Sequence, residues 1–436
     1  IVPNQLLQQS CLSFGYNTSD CSELITGGTN ATRKIEEEIQ PHVAEIIMTT
    51  NLVTAIIPAI MSLFIGPWTD KFGRKKVISA TCVGFSLTIA SFTLLSMACD
   101  RYVMVDPWLF LLPYIPMIAT GGWPSLVMSI LCYVTDTTNE AERSSRLSLI
   151  ELIIFTGVLF GIASCSYILA VTSATTVFVI GTACVSLSTL YIIAFVDESV
   201  QVVEDATAWN QIKELVSPAP VVDMLKTCFK KRPFKERRIL WCLIFILMFS
   251  IFTMNGASNI FYLFVREKFH WTLKDATQFD AISLLVTIIG GFLGIGILKK
   301  LLNFSDLSLA IIAISSTIID SLMRAIAQNP SVMYLASFLC LFKILAAPMC
   351  RSLISNIIPS NEIGKVYSVT SSFEAISSLV ASPLYTFIYA KTFTWFAGAF
   401  YIITAVVYAI CLVLAFCVMR MRKTRESLLN PYSAIQ

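Results

Sequence analysis

Six ionisable side chains fall inside apolar runs of this sequence: Glu151, Asp320, Arg324, Lys343, Arg351 and Glu374. A charge placed in hydrocarbon costs ~2.5–3.5 kcal/mol even on insertion scales, so each of the six needs a partner or a task. Arg351 and Glu374 lie 7 and 8 residues in from run ends near 358 and 366. At 1.5 Å per helical residue that is a depth of about 10–12 Å for both, so they can meet across adjacent helices. Two readings stay open for the pair, a static strut or a group that handles an anion or a proton. Glu151 has no cation one turn away, because Arg146 lies five residues back. A carboxyl without a partner in a low-dielectric cavity can exchange a proton near neutral pH, as a proton carrier must. The other reading pairs Glu151 with Arg146 or Arg143 at the membrane edge. Asp320 and Arg324, four apart with the acid first, read as a structural ion pair.

The elements that must position these groups are helices in a bilayer. Of 436 residues, 56% are hydrophobic and 14% charged, and the mean hydropathy is +0.74. Soluble domains carry about 25% charged residues, so an ordinary soluble enzyme is excluded. Windows of about 20 apolar residues give eleven spans, at 43–67, 75–97, 108–135, 147–169, 173–195, 238–264, 278–298, 306–327, 331–358, 366–389 and 394–419. Strand-length alternation is missing, so the class is an all-α polytopic membrane protein.

Lysine and arginine counting orients the spans. If the loop after the first of them is cytoplasmic, 21 of the 31 basic residues fall on the cytoplasmic side, Arg238 included, and seven fall opposite. The organisation read from this is an outer loop over 1–42, a helical half over 43–195, a cytoplasmic linker over 196–237, a six-helix half over 238–419 and a cytoplasmic tail over 420–436. Residues 1–42 need a preceding span or a signal to cross the membrane, and the sequence opens on Ile1 without a signal pattern. A twelfth span is therefore expected before Ile1, which makes two pseudo-symmetric six-helix halves.

The outer loop carries two glycosylation sequons, at Asn17 and Asn30. It also holds Cys11 and Cys21 in an oxidising compartment, where they pair with each other, remain free thiols or find a partner such as Cys99. His42 and His270 both fall on the outer side. Net charge is only +3, so no basic face for nucleic acid is expected. Metal-ligand spacing, a nucleophile elbow and a phosphate loop are all missing, so neither an enzyme nor a metal or organic cofactor is expected. Gly121-Gly122-Trp123-Pro124 predicts a bend in the third span. Gly290, Gly291, Gly294 and Gly296, and separately Gly157 with Gly161, offer close-packing faces.

Between the first two spans stands Gly66-Pro-Trp-Thr-Asp70-Lys71-Phe-Gly73-Arg74-Lys75-Lys76. Gly66 permits close helix approach, Gly73 a tight turn, Asp70 can accept from a helix N-terminus, and Arg74 can pair with a carboxylate at a neighbouring helix end. Asp136, with Glu142, Arg143 and Arg146, supplies partner charges after the third span. This string resembles the loop signature of the major facilitator superfamily, which implies the major facilitator fold and a cytoplasmic gate latched by these residues.

The chain further resembles solute carrier family 46, the proton-coupled folate transporter and its relatives. The matching strings include Phe14-Gly15-Tyr16-Asn17, Tyr133-Val134-Thr135-Asp136, Arg146-Leu-Ser-Leu-Ile150-Glu151, Pro348-Met-Cys-Arg351 and Phe373-Glu374. The resemblance implies proton-coupled symport of a small, folate-like organic anion by alternating access, with Glu151 loading the proton and Arg351 handling substrate. Two departures weaken the folate assignment. Asn255-Gly256-Ala257-Ser258 stands where the folate carrier has a histidine, and His270-Trp271 where it has a cysteine. A facilitator or lysosomal exporter of peptide-like or conjugated solutes, and a non-transporting receptor on a carrier fold, are the alternatives. Expected partners are membrane lipid, the organic anion and sorting adaptors at Tyr432-Ser-Ala-Ile435, which places the chain in the plasma membrane or in endosomes and lysosomes.

Overall fold

Long apolar runs broken by proline, glycine and charge fold as helices, because a helix alone satisfies every backbone group within a single segment. The computed structural model describes residues 1–26, 30–101, 104–200, 210, 215, 217–271, 273–359 and 362–429. Among them there is no strand, and nine helices are long and apolar enough to cross a bilayer. Pro330–Leu339 and Lys343–Ser355, bent by 44°, would together make a tenth. The span expected at 366–389 is occupied by the 34-residue helix Ile363–Phe396. Ser368, Thr370, Ser371, Ser372, Glu374, Ser377 and Ser378 make its first half unusually polar for a span.

The chain divides into two units, residues 1–130 with 162–211 and residues 131–161 with 212–436. In the first, helices Val2–Ser13 and Thr18–Thr26 are followed by Asn30–Phe72. Leu6, Val43, Ile46, Phe92 and Phe110 form a small core there. Helices Arg74–Arg101 and Ala174–Phe195 pack through paired hydroxyls, Ser86 with Ser186 (2.6 Å), Thr93 with Thr182 (3.0 Å) and Ser96 with Thr175 (2.7 Å). Small hydroxylated residues let helices approach closely and hydrogen-bond where no hydrophobic force drives association. At Gly121-Gly122, where a bend is expected, helix Ile115–Ala119 gives way to Gly122–Thr137 with φ of +86° and +57°.

The second unit is built on helices Glu236–Phe269, Leu273–Leu293, Asp306–Ile326, Ile363–Phe396 and Ala399–Leu429. Phe261, Phe264, Phe279, Tyr385, Phe400 and Tyr401 make its aromatic core. Its position-setting device is the glycine face of Leu273–Leu293. A Cβ on Gly290 would stand 1.9 Å from the Leu341 carbonyl oxygen, and one on Gly291 2.4 Å from Leu152 Cδ2. The helix therefore touches both the bend at residues 340–342 and the helix that carries Glu151. Gly157 and Gly161 have nothing within 4 Å of an added Cβ, so that pair is not a close-packing face, contrary to the spacing argument.

Candidate functional site

Helix Ala346–Ser355 is buried over its whole length except Ala347. A helix that polar and that buried must give each polar side chain a partner. Its last turn is held by Arg143, whose Nη1 donates to the Ser355 carbonyl (3.1 Å) and to Asn356 Oδ1 (3.2 Å). A cation at a helix C-terminus answers the unsatisfied carbonyls there. Ser352 Oγ donates to Asp306 Oδ2 at 2.9 Å, and Lys299 pairs with the same carboxylate. Tyr367, 2% exposed, donates its hydroxyl to the Arg351 carbonyl at 2.9 Å.

These contacts clamp the segment that presents Arg351. Its Nη1 donates to Glu151 on helix Glu140–Val171, and its Nη2 donates to Glu374 Oε1 at 3.1 Å on helix Ile363–Phe396. All three side chains are near nine-tenths buried, with 10% exposure for Arg351 and 13% for each glutamate. Three residues from separate parts of the sequence thus converge on one guanidinium, which faces two carboxylates. One turn beyond Glu374, Ser378 Oγ accepts from Asn255 Nδ2 at 2.7 Å, which ties helix Glu236–Phe269 to the site.

The structure settles where the neighbouring arginines go. Arg146 forms an exposed i,i+4 pair with Glu142 at 3.5 Å, and Arg143 serves the helix end, so neither reaches Glu151. Asp320 and Arg324 form a separate buried pair at 2.7 Å, with Arg324 also donating to Ser337 (2.9 Å) and lying over the Phe279 ring. Lys343 sits in the single turn Lys343–Leu345 at the bend. Asp280 is a span carboxylate that the sequence reading missed, and it lies within electrostatic reach of Arg324 and Lys343.

In the first unit the loop string is two helix ends joined at Gly73. Gly66 is buried in helix Asn30–Phe72, and Gly73 takes φ +111° between that helix and Arg74–Arg101, a conformation that favours glycine. Arg74, 1% exposed, pairs with Asp70 at 2.5 Å. Glu198 accepts from the backbone N–H groups of Arg74 (2.7 Å) and Lys75 (3.1 Å), capping the N-terminus of Arg74–Arg101. Glu198 was not picked out from sequence, since nothing local marks a cap 124 residues away. Asp136 lies near the end of helix Gly122–Thr137. Cys11 and Cys21 are joined by a disulfide, and Asn17 is exposed in the turn between the two helices it links. The side chain of Asn30 and the whole of Tyr432 lie outside the described residues.

The sequence pattern of the Major Facilitator Superfamily matches residues 12–382. The chain belongs to that superfamily. Within it, the chain is 33% identical over 429 residues, 95% of its length and 81% of the relative's, to a Drosophila melanogaster protein named probable peptidoglycan muropeptide transporter SLC46. That identity and coverage place it in solute carrier family 46. It is 27% identical to the Gallus gallus lysosomal proton-coupled steroid conjugate and bile acid symporter SLC46A3, over 94% of this chain and 86% of that one. Among solved structures, the human organic anion transporter MFSD10 superposes with TM-score 0.66 at 14% identity, covering 95% of this chain and 97% of that one. The proton:xylose symporter XylE superposes with TM-score 0.65 at 15% identity, covering 95% and 93%. These two likenesses show the fold. The chain is an integral membrane transporter of the superfamily, and not an enzyme.

Proposed function

We propose that the chain is a proton-coupled symporter of organic anions, working by alternating access, with Glu151, Arg351 and Glu374 as its coupling site. The observation that carries this reading is one guanidinium held by two carboxylates in a buried cluster. With both carboxylates ionised the cluster has one negative charge in excess, and a proton on Glu151 removes it. The same proton removes the charge from the acceptor at Nη1 and weakens that bond, so a carboxylate or sulfate of the substrate can displace it as a bidentate or single hydrogen-bonded partner. Proton and anion are then taken up together, because each makes room for the other. One pH unit across the membrane supplies ~1.4 kcal/mol, about tenfold accumulation per proton.

The relatives' printed substrates, muropeptides, steroid conjugates and bile acids, support a conjugated or peptide-like anion over folate itself. A lysosomal relative and a site that needs protons outside the cytoplasm support an acidic-lumen membrane. In this reading residues 1–42 face the lumen, Asn17 carries a glycan, and Asp70, Gly73, Arg74 and Asp136 belong to the cytoplasmic gate. The test is uptake of labelled bile acid, muropeptide and folate by the full-length protein at outer pH of about 5.5 and 7.4. Acid-stimulated uptake of one anion, with the stimulation lost in Glu151→Gln, is expected. Uptake by Glu151→Gln with unchanged pH dependence overturns the assignment.

A further inference from the structure

The segment 218–238 carries a feature that transport chemistry does not use. Helix Pro218–Phe229 has two apolar faces. Met224, Thr227 and Cys228 are buried against the second unit, whereas Val222 (47%), Leu225 (43%) and Phe229 (59%) stand exposed on the opposite side. Positions 222, 225 and 229 share one stripe of a helix. A soluble face of this kind would be left wet, and here its surroundings are basic. Lys226, Lys231, Lys235 and Arg238 are exposed and have no ion pair among the described residues. Lys230 and Arg232 are engaged by Glu362. Phe234 and Lys235 both hold positive φ, +49° and +63°, in the turn that leads into helix Glu236–Phe269, and Phe234 is 39% exposed.

The exposed stripe continues onto the spanning helix Glu236–Phe269. The Phe229 ring meets Trp241 (5.0 Å), which meets Phe245 (5.8 Å), which stacks on Phe249 (6.2 Å) along the spanning helix. Trp241 also donates its indole N–H to the Cys228 carbonyl at 3.2 Å. Tryptophan with one apolar and one hydrogen-bonded end is typical of the headgroup level, so the stripe lies where the span leaves hydrocarbon. Apolar residues on one face with lysines at its border are the composition of a helix that lies in the interface plane.

We propose that residues 222–238 form a docking surface for anionic phospholipid headgroups in the leaflet next to them. Val222, Leu225 and Phe229 enter the acyl boundary while Lys226, Lys231, Lys235 and Arg238 hold headgroup phosphates and carboxylates. The surface is tied to the coupling helix: Asp223 pairs with Lys365, and Lys230 and Arg232 with Glu362, at the start of the helix that bears Glu374. Lipid charge at this surface therefore sets how firmly the first turn of Ile363–Phe396 is held. This second consequence rests on the proposed transport site, and the lipid contact itself does not.

The test uses the full-length protein in detergent, titrated with phosphatidylserine or phosphatidylcholine and read by native mass spectrometry, alongside Lys226→Gln/Lys231→Gln/Lys235→Gln. Each lysine near an anionic surface is worth about 1 kcal/mol, so the triple variant should bind phosphatidylserine on the order of a hundredfold more weakly. Phosphatidylcholine retention should not change. Val222→Ser/Leu225→Ser/Phe229→Ser should weaken phosphatidylserine as well, while soluble glycerophosphoserine should bind neither protein. Equal retention of the two lipids by the wild type, or undiminished phosphatidylserine on the triple glutamine variant, overturns the proposal. A wild-type dimer in neutral lipid that the apolar variant turns into monomer also overturns it, in favour of a second copy as the occupant. Phosphatidylserine retention without any uptake would strike the transport reading and leave this surface standing.

Discussion

Two buried arginines in the second unit differ in how many carboxylates they face. Arg324 meets Asp320 one turn away on its own helix, donates to Ser337 and lies over the Phe279 ring. Its one ion pair is local, and the more distant Asp280 is matched by Lys343, so charge is balanced. Arg351 meets Glu151 and Glu374, each on a different helix, and the cluster is one cation short. A balanced pair on one helix has no reason to change partners, so it acts as a strut. An unbalanced cluster across three helices has a second charge state within reach of a proton, and its geometry changes with that state.

The largest expected effect comes from removing the shared cation. Arg351→Met leaves two buried carboxylates facing each other, and should cost about 3–5 kcal/mol and abolish uptake, read by thermal unfolding and solute accumulation. Asp320→Leu should cost a similar 3–5 kcal/mol, because it strands Arg324. The double variant Asp320→Leu/Arg324→Met should recover that loss and transport at close to the wild-type rate. If the double variant folds but does not transport, Asp320 and Arg324 are not a strut and the contrast fails. Glu151→Gln should cost about 1.5–3 kcal/mol, the worth of a hydrogen bond to a charged group, and flatten the pH profile of uptake.

Smaller effects are expected outside the spans. Burial works to raise the Glu362 carboxyl, but the hydrogen bonds from Arg232 and Lys230 hold it below the ordinary 4.5. A depressed value means the contribution is fully present above 4.5 and is lost as pH falls through the lower value. The melting-temperature difference between wild type and Glu362→Gln should thus stay constant from neutral pH down to about 5 and shrink below that. Its size should be about 1 kcal/mol or less, as for partly exposed pairs. Glu198→Gln, which weakens the cap on Arg74–Arg101, should cost about 0.5–1 kcal/mol in unfolding measurements.

Much of the fold was legible because hydrocarbon penalises charge, so apolar runs and their breaks mark helices directly. Arg351 with Glu374 was legible too, since they are 23 residues apart and lie at similar depths from neighbouring run ends. The Glu151 contact was not, because its partner is 200 residues away and two nearer arginines offered themselves. Arg143 and Arg146 are excluded by geometry: one is engaged by a helix end, and the other points to the exposed side with Glu142. The Gly157 and Gly161 spacing misled for a related reason. Small residues allow a close approach but do not create one, and nothing approaches there.

By itself the sequence determined that the chain is helical, lives in a bilayer, belongs to a carrier family and carries charges where charges are costly. Those properties follow from local composition and from spacings of a few residues, which act before any long-range contact forms. Only the tertiary structure decided which charges share one guanidinium, and which glutamate caps which helix. Those choices depend on the approach of helices far apart in sequence, and that approach is governed by a glycine face and a bend whose partners no local pattern names.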